Sequence, residues 1–181
     1  MAIKRPLKNS ILLSPQNTGG EKTTAVQGEV LHMEKNANQL ISGISAVFPA
    51  YNDGGTIPSM VLTALMALRQ VTDNYEVIVT NDGSSDYTRE ILDELASRYP
   101  ELHVIHHAQN QGYGGALRSG FSAATKEWIF YTDGDAQYNP LELVNLTAAL
   151  HDGIDVVNGY KIVRHDPLIR KIIGRLYHHM M

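Results

Sequence analysis

The chain has no cysteine, one tryptophan and three phenylalanines among its 181 residues. Without cysteine there are no disulfides and no thiolate metal sites, which fits a reducing compartment. No apolar run approaches the roughly 18 residues needed to span a bilayer. "SILLSP", which follows Lys4, Arg5 and Lys8, is too short for the apolar region of a signal peptide. A cytoplasmic location is therefore expected. The histidines lack zinc-like spacing: His106 and His107 close an apolar run, and His178 and His179 sit in a basic tail. "GYGGALRSG" lacks the Gly-Lys-Ser/Thr ending of a P-loop, and there is no nucleophile elbow. Counting Gly-x-Gly-x-x-Gly from Gly112 puts Leu117 in the last position, which speaks against a dinucleotide-binding domain.

What remains is an ordinary globular composition, 43% hydrophobic and 19% charged, long enough for one domain with a real core. The net charge of −4 is unevenly spread. Residues 160–181 hold five basic side chains and one acid, so this segment carries +4 and the remainder −8. A basic tail of this kind either meets something anionic or is a solvated helix face.

Residues 1–42 are polar around "SPQNTGGEKTT" and read as a flexible N-terminal arm, with a short helix around "GEVLHMEKNANQL". A folded core is expected over 43–160. There, short β-branched runs ("ISAVF", "YEVIVT", "LHVIHH", "EWIFYT", "IDVVNG") alternate with segments of helical length and period ("IPSMVLTALMALRQV", "SDYTREILDELASRY", "GGALRSGFSAATK", "PLELVNLTAALHDG"). Ser85 or Asp86 suits the cap of the second helix, and Pro140 the first turn of the fourth. Such alternation predicts an α/β fold: a mainly parallel, Rossmann-like sheet with helices on both faces.

The unusual residues all follow strands. "PAYNDGG", "NDGSSD", "AQNQGYGG", "DGDAQ" and "GYK" lie beyond the carboxyl ends of strands one to five, the edge where open α/β sheets bind ligands. Asp133 and Asp135, one glycine apart, make either a tight turn or a site for a hard cation. Mg²⁺ commonly takes one or two carboxylates, waters and phosphate oxygens. Two like charges about 4 Å apart repel by roughly 4 kcal/mol at an effective dielectric of 20, so an acidic pair facing a diphosphate needs a cation between them. Asp82 in "NDGSSD" is a turn residue or an acceptor for the N–H-bearing edge of uracil or guanine. Tyr51 is packing or a stacking platform, and Asp53 is suited to ribose hydroxyls. In "NQGYGGA", Gly114 and Gly115 open a helix whose N–H groups can meet an anion or sugar, or they serve close helix–sheet packing.

In that order and at these intervals, "PAYND", "NDGSSD", "NQGYGGA" and "DGDAQYNP" resemble glycosyltransferase family 2 with the GT-A fold. Within the family they are similar to the polyprenyl-phosphate sugar synthases of the dolichol-phosphate mannosyltransferase type. The resemblance covers about residues 43–181. It implies inverting transfer of a sugar from a nucleoside diphosphate sugar, UDP- or GDP-linked, to a polyprenyl phosphate, with no nucleic-acid partner. It implies that Pro49, Tyr51, Asp53, Asp82, Gly114, Gly115, Asp133 and Gly134 line the donor pocket. Asp133, Asp135 and Gln137 would hold Mg²⁺ or Mn²⁺, and Lys161 and Arg164 would face the acceptor phosphate. Asp53 stands where relatives more often have Glu, which shortens its reach. Lys161 stands for a usual Arg and lacks its bidentate fork.

A hydroxyl acceptor would need a general base. The only acids after the Asp-Gly-Asp trio are Glu142, Asp152, Asp155 and Asp166, none in a base motif. A phosphate acceptor is already largely ionised and needs none. From Pro167 onward, Ile169, Ile172, Ile173, Leu176 and Met180 share a helical face, with Arg170, Lys171 and Arg175 off it. This 161–181 segment either lies on an anionic membrane surface, making the protein peripheral at the cytoplasmic membrane face, or packs on the domain. A truncated or binding-only module without turnover is the alternative reading. A sugar-nucleotide pyrophosphorylase would carry a Gly-, Arg- and Lys-rich loop after strand one, and "PAYNDGGTIP" is not one.

Overall fold

The structure, a computed structural model, describes residues 2–4, 41–134 and 136–159. Ten elements follow in chain order: β1 (Ala2–Lys4), β2 (Ile44–Ala50), α1 (Ile57–Val71), β3 (Tyr75–Asn81), α2 (Thr88–Arg98), β4 (Leu102–His106), α3 (Tyr113–Ala123), β5 (Trp128–Tyr131), α4 (Glu142–Ala148) and β6 (Val156–Asn158). They build one six-stranded sheet in the order β4-β3-β2-β5-β1-β6. β2 pairs in parallel with β3 and with β5, and β3 with β4. The expected mainly parallel α/β sheet is what forms, and all five expected strands are in it.

The sixth strand was not expected. Ala2–Lys4, read from sequence as part of an arm, runs antiparallel between β5 and β6, setting Ala2 opposite both Tyr131 and Asn158. Ala2 and Ile3 are buried there. Three residues are too few to show a strand period, so only the vacancy between two distant strands reveals their role. The proposed helix around "GEVLHMEKNANQL" lies outside the described residues.

Alternation along the strands sorts the side chains into two layers. Ala46 and Phe48 of β2 stand beside Val77 and Val79 of β3. They pack with Ile57, Met60, Val61, Ala64, Leu65 and Leu68 of α1 into the main core. Those α1 positions recur at intervals of three and four, so one stripe of the helix is buried. Pro58 in its first turn needs no donor there. α1 also packs against α2 and α4, so these three helices share a face. Val47 and Ile78, adjacent in register, point the other way. There α3 lies against β2 and β3, and a Cβ added to Gly120 would stand 2.4 Å from Val47 Cγ1. Helices therefore cover both faces, as expected. α4 is shorter than the sequence suggested, Glu142–Ala148 against an expected 140–153.

The α3 face also buries a charge. The Glu76 carboxylate accepts hydrogen bonds from Ser45 Oγ (2.6 Å), Thr125 N (2.7 Å) and Thr125 Oγ1 (2.9 Å), stitching β2, β3 and the turn before β5. Burial alone would raise its pKa, but these donors outweigh burial and the carboxyl titrates below its ordinary value. A folded pKa below the unfolded one gives stability that is present above the unfolded value, about 4.3 for Glu. That stability is lost as pH falls through the folded value. The melting temperature is therefore expected to hold from pH 7 to about 5 and then to fall. Glu76→Gln should flatten only part of that fall, because Asp82 and Asp86 are lowered too. An acid transition identical in wild type and Glu76→Gln would contradict this account.

Candidate active site

β2 is the strand at which the chain changes direction. It leads through α1 to β3 on one side, and α3 later returns the chain to β5 on its other side. The loops leaving β2, β3 and β5 thus diverge around a crevice at their carboxyl ends. A cleft of about 430 Å³ opens there. Pro49, Tyr51 and Asp53 line it from β2, Asp82 from β3, and Asp133 and Gly134 from β5.

The first two loops are sewn together. Asn52 adopts φ = 56°, a left-handed conformation that Asn tolerates better than most residues. Its N–H donates to Ser84 Oγ (2.9 Å), and its Oδ1 accepts from Ser85 N (2.8 Å). Asp86 accepts from Gly54 N (3.2 Å) through one oxygen and from Thr88 N (3.0 Å) through the other. The N-cap of α2 is Tyr87, without a side-chain cap bond, rather than the expected Ser85 or Asp86; Asp86 instead ties the neighbouring loop to Thr88, and the Thr88 hydroxyl with these N–H donors outweighs burial and lowers its pKa.

Asp53 serves its own turn. Its Oδ2 accepts from Tyr51 N (2.9 Å), and its carbonyl receives the N–H groups of Thr56 and Ile57 that open α1. Gly134 presses on the same corner. A Cβ there would stand 2.7 Å from the Pro49 carbonyl oxygen and 3.5 Å from Asp53 Oδ2, so only glycine lets the Asp-Gly-Asp loop approach β2 this closely. Thr56 Oγ1 donates to the Gly134 carbonyl (3.1 Å) and holds the loop down. Ala136 has φ = 59°, which costs an L residue about 1–2 kcal/mol. Backbone strain of this kind is commonly stored at functional loops.

Asp82 is only 3% exposed. Its Oδ1 accepts from Gln111 N (2.8 Å) and lies 2.6 Å from His107 Nδ1. Burial pushes its pKa up, but the Gln111 N–H, His107 and the Gly112 N–H outweigh it, and the group is held ionised below its usual range. Across the cleft, Tyr113 OH donates to Asp133 Oδ1 (2.8 Å), although the Tyr113 side chain is half exposed. Asp133 and Tyr113 therefore meet in the same cleft as Tyr51 and Asp82.

A family model described as glycosyl transferase family 2 matches residues 45–174. The chain belongs to glycosyl transferase family 2. It is 35% identical over 143 residues to the undecaprenyl-phosphate 4-deoxy-4-formamido-L-arabinose transferase of Photorhabdus laumondii, covering 78% of this chain and 44% of that protein. To the protein of that name from Yersinia enterocolitica it is 33% identical over 146 residues, 80% of this chain and 44% of the other. The chain thus spans less than half the length of these relatives. Among solved structures, a mannosyltransferase from Pyrobaculum calidifontis in complex with GDP-Man and Mn²⁺ superposes with a TM-score of 0.54 at 22% identity, over 68% of this chain and 40% of that one. The fold is of the GT-A type.

In this family 2 chain, six of the residues expected at the donor pocket do line the cleft: Pro49, Tyr51, Asp53, Asp82, Asp133 and Gly134. Gly114 and Gly115 do not. They occupy the first turn of α3, and a Cβ on Gly115 would strike Gln111 Cβ at 2.7 Å, so close packing accounts for it. Gln137 is exposed and does not line the cleft. Asp135, Lys161 and Arg164 lie outside the described residues. Two further residues line the cleft without a sequence signal of their own: Asn110 from the loop before α3, and Tyr113, the first residue of that helix. The glycines are the visible signal of "NQGYGGA", but its tyrosine carries the contact to Asp133. His106 meets the Asn81 amide and Asp93 at 3.0 Å each, a satisfied structural histidine.

The described side-chain partner of Asp133 is the Tyr113 hydroxyl, and a carboxylate oxygen suits a hard divalent cation. Among the described residues no group of three or more His, Cys, Asp or Glu is placed to hold a metal.

Proposed function

We propose that this chain is the donor-binding core of an inverting glycosyltransferase that moves a sugar from a UDP- or GDP-linked donor to a polyprenyl phosphate. The observation that carries the reading is the convergence of Asp133, Asp82, Asp53 and Tyr51 on one cleft at the carboxyl edge of the sheet. Family membership, and relatives named as undecaprenyl-phosphate sugar transferases, support the reaction class.

In this reading Asp82 accepts from the N–H-bearing edge of the base, Tyr51 stacks on it, and Asp53 takes ribose hydroxyls. Asp133 and Asp135 would hold Mg²⁺ or Mn²⁺, whose charge stabilises the departing diphosphate. An oxygen of the acceptor phosphate forms the new bond to the anomeric carbon as the bond from that carbon to the diphosphate breaks on the opposite face. The electron pair leaves with the nucleoside diphosphate, and no general base is required. Lys161 and Arg164 would face the acceptor phosphate, and 161–181 would rest on the membrane surface. Among the described residues no helix is long and apolar enough to cross a membrane.

The test is calorimetry with UDP and with GDP, each with and without Mn²⁺, followed by transfer from the matching sugar nucleotide to undecaprenyl phosphate. Metal-dependent binding with transfer is the expected result. Metal-dependent binding without transfer would assign a binding-only module. Equal binding with and without Mn²⁺ would remove the metal from the reading.

A further inference from the structure

Bonded to Asp82, and not among the residues that line the cleft, is His107, whose side chain is 7% exposed. Its backbone N–H bonds to the Asn81 carbonyl (2.9 Å), extending the β3–β4 pairing by one residue. Its ring is bonded at both nitrogens: Nδ1 to Asp82 Oδ1 at 2.6 Å, and Nε2 to Ser119 Oγ of α3 at 2.8 Å. Asp82 is held ionised and can only accept, so Nδ1 carries the proton. In the neutral ring Nε2 then accepts from the Ser119 hydroxyl.

The order Ser–His–Asp has the distances of a nucleophilic triad, but its surroundings exclude that role. Ser119 lies inside α3, where its backbone N–H belongs to the helix and no oxyanion hole can form beside it. Neither Ser119 nor His107 lines the cleft, whereas Asp82 does. The chain of hydrogen bonds therefore ends on the carboxylate.

We infer that His107, backed by Ser119, is a positioning residue that sets nucleotide-base specificity through Asp82. This rests on the reading that Asp82 meets the base. Two donors, His107 Nδ1–H and Gln111 N–H, converge on Oδ1, so the carboxylate cannot rotate without losing one of them. They also keep it ionised despite burial. An ionised, fixed carboxylate accepts from the N–H of uracil or guanine and repels the bare ring nitrogen that cytosine presents at the matching position. Without His107 the buried charge loses a donor, and the group either turns or takes up a proton. A protonated acid can donate to cytosine, so discrimination falls.

The experiment measures affinities for UDP, GDP and CDP in the presence of Mn²⁺, for wild type, Asp82→Asn, His107→Leu, His107→Gln and Ser119→Ala, with folding checked by circular dichroism. Wild type is expected to bind UDP or GDP more tightly than CDP. His107→Leu should shrink that preference about tenfold, while binding still requires Mn²⁺. Ser119→Ala should shrink it about threefold, and His107→Gln, which keeps an N–H donor, should restore most of it. A folded His107→Leu with the wild-type preference, beside an Asp82→Asn that has lost it, overturns the role of His107 and leaves the base-reading assignment standing. If His107→Leu does not fold, an unchanged preference in Ser119→Ala overturns it instead. An Asp82→Asn variant that keeps the preference removes the base-reading assignment and this inference with it.

Discussion

Asp133→Ala is expected to lower the Mn²⁺-dependent affinity for UDP or GDP by about 100-fold or more, leaving only weak, metal-independent binding. Asp133 is the described carboxylate that leaves β5 directly into the cleft, and Tyr113 OH orients it at 2.8 Å. Loss of an orienting partner typically weakens a metal site 10- to 100-fold, and loss of Asp133, the proposed ligand itself, should exceed that. Tyr113→Phe tests the difference. It removes one hydroxyl and should weaken Mn²⁺ affinity about tenfold, leaving the fold unchanged because the side chain is half exposed. Calorimetric titration of Mn²⁺ at saturating nucleotide measures both. An Asp133→Ala protein that binds nucleotide and metal as wild type does would separate this carboxylate from the donor site altogether.

Gly83→Ala should be the most damaging small substitution in the loops. Gly83 has φ = 69°, where an L side chain costs about 1–2 kcal/mol. Its Cβ would also stand 2.6 Å from Asn110 N and 2.7 Å from the Gln109 carbonyl carbon. Both are backbone atoms, so relief requires the whole 109–111 loop to shift, at a further 1–3 kcal/mol or so. That loop carries the Gln111 N–H that holds Asp82. A loss of about 3 kcal/mol, or roughly 10 °C in melting temperature, is expected, together with weaker nucleotide binding. Thermal unfolding followed by circular dichroism checks the first, and a melting temperature within 2 °C or so of wild type would contradict the steric argument.

Both predictions concern positions whose types were visible in the sequence but whose partners were not. "DGDAQ" and "NDGSSD" announced themselves as acidic loops after apolar runs, and their placement at one sheet edge followed from the alternation of strands with helices. That Tyr113 reaches Asp133, twenty residues on, depends on α3 crossing back over the sheet to deliver the chain from β4 to β5. His107 looked like the end of a strand. It became a partner of Asp82 because β3 and β4 run side by side in register, Asn81 opposite His106. Glu76 lies within "YEVIVT", and the Ser45 and Thr125 donors that hold its carboxylate come from 31 and 49 residues away. Asp135, Lys161 and Arg164 stay with the sequence-based reading, because they lie outside the described residues.

The sequence by itself determined the strands and helices from β2 to β6, that the sheet is mainly parallel, and that acids gather at its carboxyl edge. Each of these depends on neighbours within a few residues: an apolar period of two or 3.6, a proline in a first turn, a glycine beside an aspartate. Only the tertiary structure decided that residues 2–4 fill the place between β5 and β6, that Tyr113 holds Asp133, and that His107 joins Asp82 to Ser119. Those contacts join residues far apart in the chain. They exist because strand order and helix packing are settled by burying the whole apolar surface at once, a global condition that no local pattern states.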